Sequence, residues 1–124
     1  MVSFDDLHIE DGSPIYLQIL LFVKRGIVAG SIRNGDELPS RRVLSSLLGV
    51  NPNTVQKAYR LLEEESLIQS RSGAKSYVVL DKAKIDQIRA ELLETHAKSA
   101  INAMRQMGIS KDEALSVIDR LWKL

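Results

Sequence analysis

Residues 40 to 65 have the sequence SRRVLSSLLGVNPNTVQKAYRLLEEE, which predicts two helices joined by a tight turn. Ser40 can cap the first helix, because its hydroxyl can accept a hydrogen bond from an early backbone N–H group. Gly49 can adopt the left-handed conformation that ends a helix. Asn51 is a second N-cap candidate, and Pro52 suits the first helical position, where no backbone N–H is required. The stretch therefore predicts a helix-turn-helix.

The two predicted helices each have an apolar face. On the first helix this face carries Val43, Leu44, Leu47 and Leu48, and on the second Val55, Ala58, Tyr59 and Leu62. The outer face of the second helix carries amide, hydroxyl and cationic groups: Asn53, Thr54, Gln56, Lys57 and Arg60. Such groups suit a DNA major groove, where amides and hydroxyls meet base edges and cations meet phosphates. On spacing alone, a helical hairpin with a solvated polar face is an equally good interpretation.

Composition limits the classes of protein that fit. A chain of 124 residues is one domain, or a small domain with an appendage. It has no cysteine, which excludes disulfides and thiolate metal sites. No apolar run is long enough to cross a bilayer, and the acidic start MVSFDDLHIEDG is unlike a signal peptide. We therefore expect a cytoplasmic protein with no membrane partner.

The net charge of +1 conceals an uneven distribution. Residues 1 to 12 contain four acids and no lysine or arginine, whereas residues 38 to 62 contain four basic residues and no acid. A local basic surface on a nearly neutral protein is compatible with duplex binding that depends on the placement of charge.

The segments before the helix-turn-helix are an arm, a helix and a loop. We expect residues 1 to 12 to be a loosely held arm. Ser13 and Pro14, a cap and a first-turn proline, open a helix that runs to about Ala29. Its predicted buried stripe is Ile15, Ile19, Phe22, Val23 and Ile27, widened by Leu20 and Val28. A loop rich in turn-forming residues follows.

After the second helix, residues 67 to 69 and 76 to 80 predict two short strands around a turn. A helix, a helix-turn-helix and a hairpin, in this order, form a winged helix. Arg71 and Lys75 at the hairpin tip favour contact with phosphates or the minor groove. The alternative is a ribbon that only closes the fold.

Residues 81 to 124 predict two amphipathic helices, divided at Gly108, with Ser110 and Glu113 as a capping box at the start of the second. Their apolar stripe is large for a monomer, so we favour pairing with a second chain over folding back on the winged helix. The predicted dimer contacts are Ile85, Ile88, Leu92, Ile101, Met104, Leu115, Ile118, Leu121 and Trp122. The predicted fold is mainly α with a small β-hairpin: an arm (1–12), a winged helix-turn-helix domain (13–80) and a helical dimerisation tail (81–124).

Three segments, PIYLQI at 14–19, LPSRRVLSSLLGVNPNTVQKAYRLLE at 38–63 and LIQSRSG at 67–73, resemble the GntR family of bacterial transcriptional regulators. The two-helix tail resembles its YtrA-like subfamily. The resemblance implies a winged helix-turn-helix that binds an inverted-repeat operator as a homodimer. It also implies a regulator that is commonly a repressor and often linked to transporter operons.

Carried over by position, the resemblance places the family's DNA-contacting arginine at Arg42, its recognition-helix contacts at Asn53, Thr54, Gln56 and Lys57, and its wing contacts at Arg71, Ser72 and Gly73. With the remaining basic residues of the domain, the predicted DNA contacts are Arg41, Arg42, Asn53, Thr54, Gln56, Lys57, Arg60, Arg71, Ser72, Gly73 and Lys75. The chain departs from the family pattern at Pro52, where many members have arginine, and at Ser66, where glycine is usual. AKSYVV also replaces the commoner Gly-Thr-Phe-Val return of the wing.

The sequence is poor in catalytic candidates. His8 and His96 lie far apart, and no phosphate loop or nucleophile constellation is present. We expect no enzymatic activity, no cofactor and no metal. A winged-helix protein-interaction module without intrinsic DNA specificity is the alternative function. A small-molecule effector is left open, since no residue set identifies its chemistry.

Overall fold

A computed structural model of the chain describes residues 1–71 and 75–124. It contains helices α1 (Ile15–Ala29), α2 (Arg41–Leu48), α3 (Pro52–Glu64), α4 (Lys82–Gln106) and α5 (Lys111–Trp122), and strands β1 (Glu37–Leu38), β2 (Ile68–Arg71) and β3 (Lys75–Val78). The predicted winged helix-turn-helix with two C-terminal helices is confirmed. The chain divides into two compact units, an N-terminal unit (Met1–Ile88) and a C-terminal unit (Arg89–Leu124).

The helix-turn-helix is held by the caps that the sequence predicts. The Ser40 hydroxyl accepts a hydrogen bond from the Val43 N–H at 3.1 Å, and the Asn51 side chain accepts one from the Asn53 N–H at 2.8 Å. Gly49 ends α2 with φ of 67°. Because Asn51 leads directly into Pro52 at the first position of α3, the turn between the helices stays short.

The sheet has one strand more than the predicted hairpin. Three antiparallel strands lie in the order β1-β3-β2. β1 is only two residues long, and backbone hydrogen bonds of 2.8 Å from Gly35 to Val78 and from Val78 to Asp36 continue its pairing with β3. Since the segment before β1 is rich in turn-forming residues, its sequence predicted only a loop.

The core of the N-terminal unit lies between α1, α3 and the sheet. Ile19, Val23 and Ile27 of α1 are fully buried, as are all four predicted inward positions of α3. On α2 the prediction is partly wrong. Leu44 is buried and Leu48 is half-buried, but Val43 and Leu47 are each 56% exposed. The face that α2 turns to the core carries Leu44 and Ser45, flanked by the half-buried Arg41 and Leu48, so Val43 and Leu47 lie outside it.

The arm is docked, and the expectation of a loosely held segment is wrong. Val2 and Phe4 are buried, and the Phe4 ring lies 5.2 Å from the Phe22 ring of α1. The Val2 N–H donates to the Glu37 carbonyl at 2.8 Å, so the arm also reaches the residue that begins β1. The burial of two apolar side chains explains why this acidic segment is ordered.

Gln18, rather than Ser13, organises the start of α1. The helix begins after Pro14 without a side-chain cap, so the predicted Ser13 cap is wrong. Instead, the Gln18 amide accepts from the Glu10 N–H at 2.9 Å and donates to the Glu10 carbonyl at 2.8 Å. This pair of bonds fastens the end of the arm to the first turns of the helix.

The C-terminal unit contains the second part of α4 and all of α5. Gly108, with φ of 74°, follows α4, and the Ser110 hydroxyl caps α5 by accepting from the Glu113 N–H at 3.2 Å. None of the described residues of α5 is fully buried. Leu115, Ile118, Leu121 and Trp122 are all exposed, and Trp122 reaches 82%.

Candidate nucleic-acid interface

The outer face of α3 carries the polar residues that the sequence assigned to it. Asn53, Gln56, Lys57 and Arg60 are exposed, and Thr54 is half-buried. Their buried neighbours, Val55, Ala58, Tyr59 and Leu62, point the opposite face into the core. The burial of one face therefore fixes which side chains α3 presents outward.

Lys57 and Arg60 each have a partner on the protein surface. The Lys57 ammonium lies 3.9 Å from the centroid of the Tyr16 ring, which ties it to α1. The Arg60 guanidinium is 3.9 Å from the Glu64 carboxylate, one helical turn along. Both side chains are exposed, so these contacts are weak and restrain the cations without neutralising the face.

Arg41 and Arg42 are neighbours in sequence with different surroundings. Arg42 is exposed. Arg41 is half-buried, with its guanidinium 6.0 Å from the centroid of the Tyr59 ring. Its Nε atom is buried and has no hydrogen-bond partner among the described residues. Arg42 is thus the freer of the two for a ligand, and Arg41 also belongs to the packing around Tyr59.

Tyr59 connects the recognition helix α3 to the segment before α2. Its hydroxyl donates a 2.7 Å hydrogen bond to the Pro39 carbonyl, and the ring is 2% exposed. Burial raises the pKa of the Tyr59 phenol far above its ordinary value, and the charge of Arg41 offsets only part of that effect. Tyr59 therefore remains a neutral hydrogen-bond donor at physiological pH.

The wing is the β2–β3 ribbon. Arg71 and Lys75 are paired in register at its end, and the Arg71 guanidinium lies 4.6 Å from the centroid of the Tyr77 ring. Two exposed cations are thus held together by the ladder. The predicted contacts Ser72 and Gly73 lie outside the described residues.

Ser66 occupies the turn after α3, at a position where the family pattern usually has glycine. Its φ is 62°, the only positive φ of a non-glycine residue in the described part of the chain. The next residue, Leu67, donates a 2.9 Å backbone hydrogen bond to Leu62, so the chain leaves α3 directly into the sheet. The departure at Ser66 changes the residue type and leaves the left-handed conformation in place.

Two contacts behind the interface were not predicted. Tyr16 supports Lys57, and Lys84, in the first turn of α4, donates to the Ser66 carbonyl at 2.8 Å. An aromatic residue within PIYLQI and a lysine within an amphipathic helix have ordinary surface explanations. Their contacts depend on how α1 and α4 meet α3, which no local pattern in the sequence indicates.

Residues 1–71 and 75–124 offer neither a metal site nor a membrane-spanning helix. No group of three or more histidine, aspartate or glutamate side chains is placed to hold a metal ion there. In the same residues, no helix combines the length and apolarity needed to span a bilayer. The exposed polar face of α3 and the paired cations of the wing are the features that define a site, and together they define a winged helix-turn-helix DNA-binding domain.

Comparison with known proteins gives the family. A profile of the bacterial regulatory proteins of the gntR family matches residues 15–78, more than half of the chain. A GntR family transcriptional regulator from Listeria monocytogenes has a similar structure, with a TM-score of 0.81 and 34% identity, covering 90% of this chain and 98% of its own. The chain therefore belongs to the GntR family, as a transcriptional regulator with a DNA-binding winged helix and not an enzyme.

Two further relatives refine this assignment. The HTH-type transcriptional repressor YtrA of Bacillus subtilis is 37% identical over 86 residues, 64% of this chain and 66% of YtrA. This similarity supports the YtrA-like subfamily. The AraR DNA-binding domain in complex with operator ORE1 has a TM-score of 0.51 and 27% identity, covering 59% of this chain and 89% of that domain.

Proposed function

We propose that this protein is a sequence-specific repressor that binds an inverted-repeat operator as a homodimer in the cytoplasm. The observation that carries the proposal is the outer face of α3, where amide, hydroxyl and cationic side chains stand opposite a fully buried face. A helix with this division can enter the major groove without exposing its core. The AraR domain, which is similar in structure, is described in complex with its operator.

The proposed contacts divide into two kinds. Asn53, Thr54 and Gln56 have the amide and hydroxyl groups that pair with base edges. Six cations lie around them and would contact the phosphate backbone: Arg41, Arg42, Lys57, Arg60, Arg71 and Lys75. Arg42, which is exposed at the start of α2, would also reach a base. Ser72 and Gly73 complete the proposed set at the wing.

The C-terminal unit supplies the reason to propose a homodimer. An apolar groove of about 470 Å³ lies between the end of α4 and the first turns of α5, lined by Ile101, Met104, Ile109, Ala114, Leu115 and Ile118. The C-terminal end of α5 carries Leu121 and Trp122, both exposed. A second copy would bury both the groove and these side chains, along with the half-buried Ile85 and Leu92 of α4. Ile88, the third predicted α4 contact, is already buried within the single chain, so its prediction as a dimer contact is wrong.

The spacing along α5 fits a two-fold axis. Leu115, Ile118 and Trp122 lie on one helical face, and Trp122 is seven residues, or roughly 10 Å, beyond Leu115. If two α5 helices pair antiparallel with the axis at Ile118, Trp122 of each copy meets the groove of the other near Leu115. Such a contact is made twice and is self-complementary, as a two-fold interface requires.

Repression would follow from the occupation of the operator by the dimer. A dimer would hold two α3 helices about one DNA turn apart, or a small multiple of it, on one face of the duplex. Bound near a promoter, it would block polymerase. The similarity to YtrA, which is named a repressor, supports this sign of regulation. Control of a transporter operon is proposed from the family resemblance, and an effector that changes the angle between the two winged helices is compatible with it.

The experiment that tests the proposal is selection from a random duplex pool at near-physiological salt, followed by sequencing. An enriched inverted repeat whose affinity falls steeply with salt would support a dimeric, sequence-specific regulator. A variant with Gln56 and Asn53 replaced by alanine is the control, because it should retain salt-dependent binding and lose enrichment. Absence of duplex binding even at low salt would overturn the proposal in favour of a protein-interaction module.

A further inference from the structure

Lys84 connects three elements of the N-terminal unit. Its ammonium donates to the Ser66 carbonyl at 2.8 Å and to the Val79 carbonyl at 3.5 Å. Ser66 follows the recognition helix α3, and Val79 follows β3 of the wing. One side chain in the first turn of α4 therefore contacts the ends of both proposed DNA-binding elements.

A capping bond and a small apolar contact accompany these two bonds at the start of α4. The Asp81 carboxylate accepts a 2.8 Å hydrogen bond from the Lys84 N–H, which caps the helix. Among the 25 residues of α4, Ile88 is the one that is fully buried, and Ile85 is half-buried. Together with the burial of Ile88, the two bonds from the Lys84 ammonium therefore help to fix the direction in which α4 leaves the winged helix.

The electrostatics favour the contact. Ser66 lies two residues beyond the end of α3, near the negative end of the helix dipole, which a lysine ammonium complements. Hydrogen bonds with one charged partner are stronger than neutral ones. The contact between the Lys84 ammonium and the Val79 carbonyl is half-buried, so water screens it less than a fully exposed contact.

The direction of α4 determines where a second copy can stand. A helix of 25 residues is about 37 Å long. A tilt of about 10° at its first turn displaces its far end by roughly 6 Å, close to two base-pair steps. We infer that Lys84 is a positioning residue that sets the spacing between the two half-sites the dimer accepts. This inference rests on the proposed function.

The test compares duplexes that contain the selected half-site once, or twice with spacers of different length. For Lys84→Met, which keeps the apolar stem, affinity for one half-site should stay within about twofold of wild type. Its preference for the best spacer over spacers two base pairs longer or shorter should fall about fivefold or more. Lys84→Arg should restore the preference, and Lys82→Met, an exposed change on the same turn, should leave it intact.

A second measurement does not depend on DNA. The chain has no cysteine, so spin labels can be placed cleanly at Glu64→Cys on α3 and Ser99→Cys on α4. Labelled protein diluted with unlabelled protein reports distances within one copy. Lys84→Met should broaden the distribution of this distance, whereas Lys82→Met should not.

The possible results distinguish a failure of the Lys84 inference from a failure of the proposed dimeric operator binding. Equal losses of half-site and full-site affinity, or an unchanged spacer profile with an unchanged distance distribution, would overturn the role of Lys84. If wild-type protein prefers no spacer at all, the dimeric operator is wrong, and the distance distribution alone decides whether Lys84 fixes the direction of α4.

Discussion

The N-terminal and C-terminal units differ in how they use apolar residues. The N-terminal unit buries its apolar side chains within one chain, including nine large side chains that are almost fully enclosed. In the C-terminal unit, Leu115, Ile118, Leu121 and Trp122 are exposed, and α5 has no fully buried residue. The first unit has a buried core of its own, whereas the second presents the kind of surface that another molecule covers.

This difference supports the proposed division of tasks, in which the first unit binds DNA and the second pairs with another copy. The outer face of α3, which is proposed to contact DNA bases, needs rigid support, and the core beneath α3 provides it. An assembly surface needs apolar side chains that are available in the single chain, and α5 provides them. Mutations should therefore separate the two tasks cleanly, with changes in α5 acting on assembly and changes near α2 and α3 acting on half-site binding or on the stability of one chain.

The largest effect is expected from Ile118→Asp at the centre of the proposed two-fold contact. A carboxylate there would be buried twice without a partner, so the dimer should dissociate. Loss of the second, linked half-site should weaken operator binding by about 100-fold or more. Sedimentation would measure the dimer, and gel shifts on full operators and single half-sites would measure binding.

Ser116→Asp is the matched control, because Ser116 is exposed on the opposite side of α5. It should leave both sedimentation and operator affinity unchanged. An Ile118→Asp protein that remains a dimer would contradict the assignment of α5 to assembly. One that loses single half-site binding would contradict the separation of the two units.

The parts of the fold that were predictable are those fixed by neighbours in sequence. Ser40, Gly49 and Asn51 determine the helix-turn-helix through caps that reach only a few residues. The outer face of α3 follows from the same local periodicity. The C-terminal helices were equally predictable, since Gly108 and Ser110 mark their junction.

The parts that were not predictable depend on contacts between distant segments. Phe4 has no local signal for burial, because its partner Phe22 is on α1. β1 is too short to show alternation and exists through its pairing with β3. Whether Arg41 or Arg42 is the more exposed arginine depends on the position of the Tyr59 ring. Local sequence therefore does not distinguish the two arginines, and only the family resemblance singled out Arg42.

The next largest effect should be a loss of DNA binding from Arg42→Ala. Arg42 is exposed, so its removal should cost roughly 1–3 kcal/mol of operator binding and leave the free energy of unfolding unchanged. Arg41→Ala is the comparison, because it also removes a side chain that lies against Tyr59 and should lower stability. Isothermal titration and urea unfolding would measure the two quantities. A folded Arg42→Ala protein with wild-type affinity would remove Arg42 from the site.

A smaller effect should come from Tyr59→Phe, which changes the packed core beneath the outer face of α3. The substitution removes the 2.7 Å hydrogen bond to the Pro39 carbonyl and leaves that buried acceptor unpaired. The free energy of unfolding should fall by about 1–2 kcal/mol. Dimerisation of the folded protein should not change. Tyr16→Phe is the control, since it keeps the aromatic ring beside Lys57.

The raised pKa of Tyr59 predicts a second difference between wild type and Tyr59→Phe, in the pH dependence of the free energy of unfolding. The neutral phenol is favoured in the folded protein, so its contribution to stability is fully present below the unfolded pKa of about 10. Above that pH the unfolded state ionises first, and the contribution is lost as pH rises. Wild type should therefore lose more stability than Tyr59→Phe between pH 9 and pH 11. Parallel pH profiles of the two proteins would contradict the burial of this hydroxyl.

The smallest effect is expected at the turn after α3. Ser66 is held at φ of 62°, a conformation that costs a residue with a side chain roughly 1–2 kcal/mol. Glycine removes that strain but adds freedom to the unfolded chain, worth about 0.5–1 kcal/mol. Ser66→Gly should therefore raise the free energy of unfolding by up to about 1.5 kcal/mol. Ser46→Gly, on the exposed side of α2, should lower it, because helical glycine is unfavourable.

Since Ser66→Gly keeps the carbonyl that accepts from Lys84, operator affinity and spacer preference should stay at wild-type values. A destabilised Ser66→Gly protein would show that the serine side chain itself supports the turn.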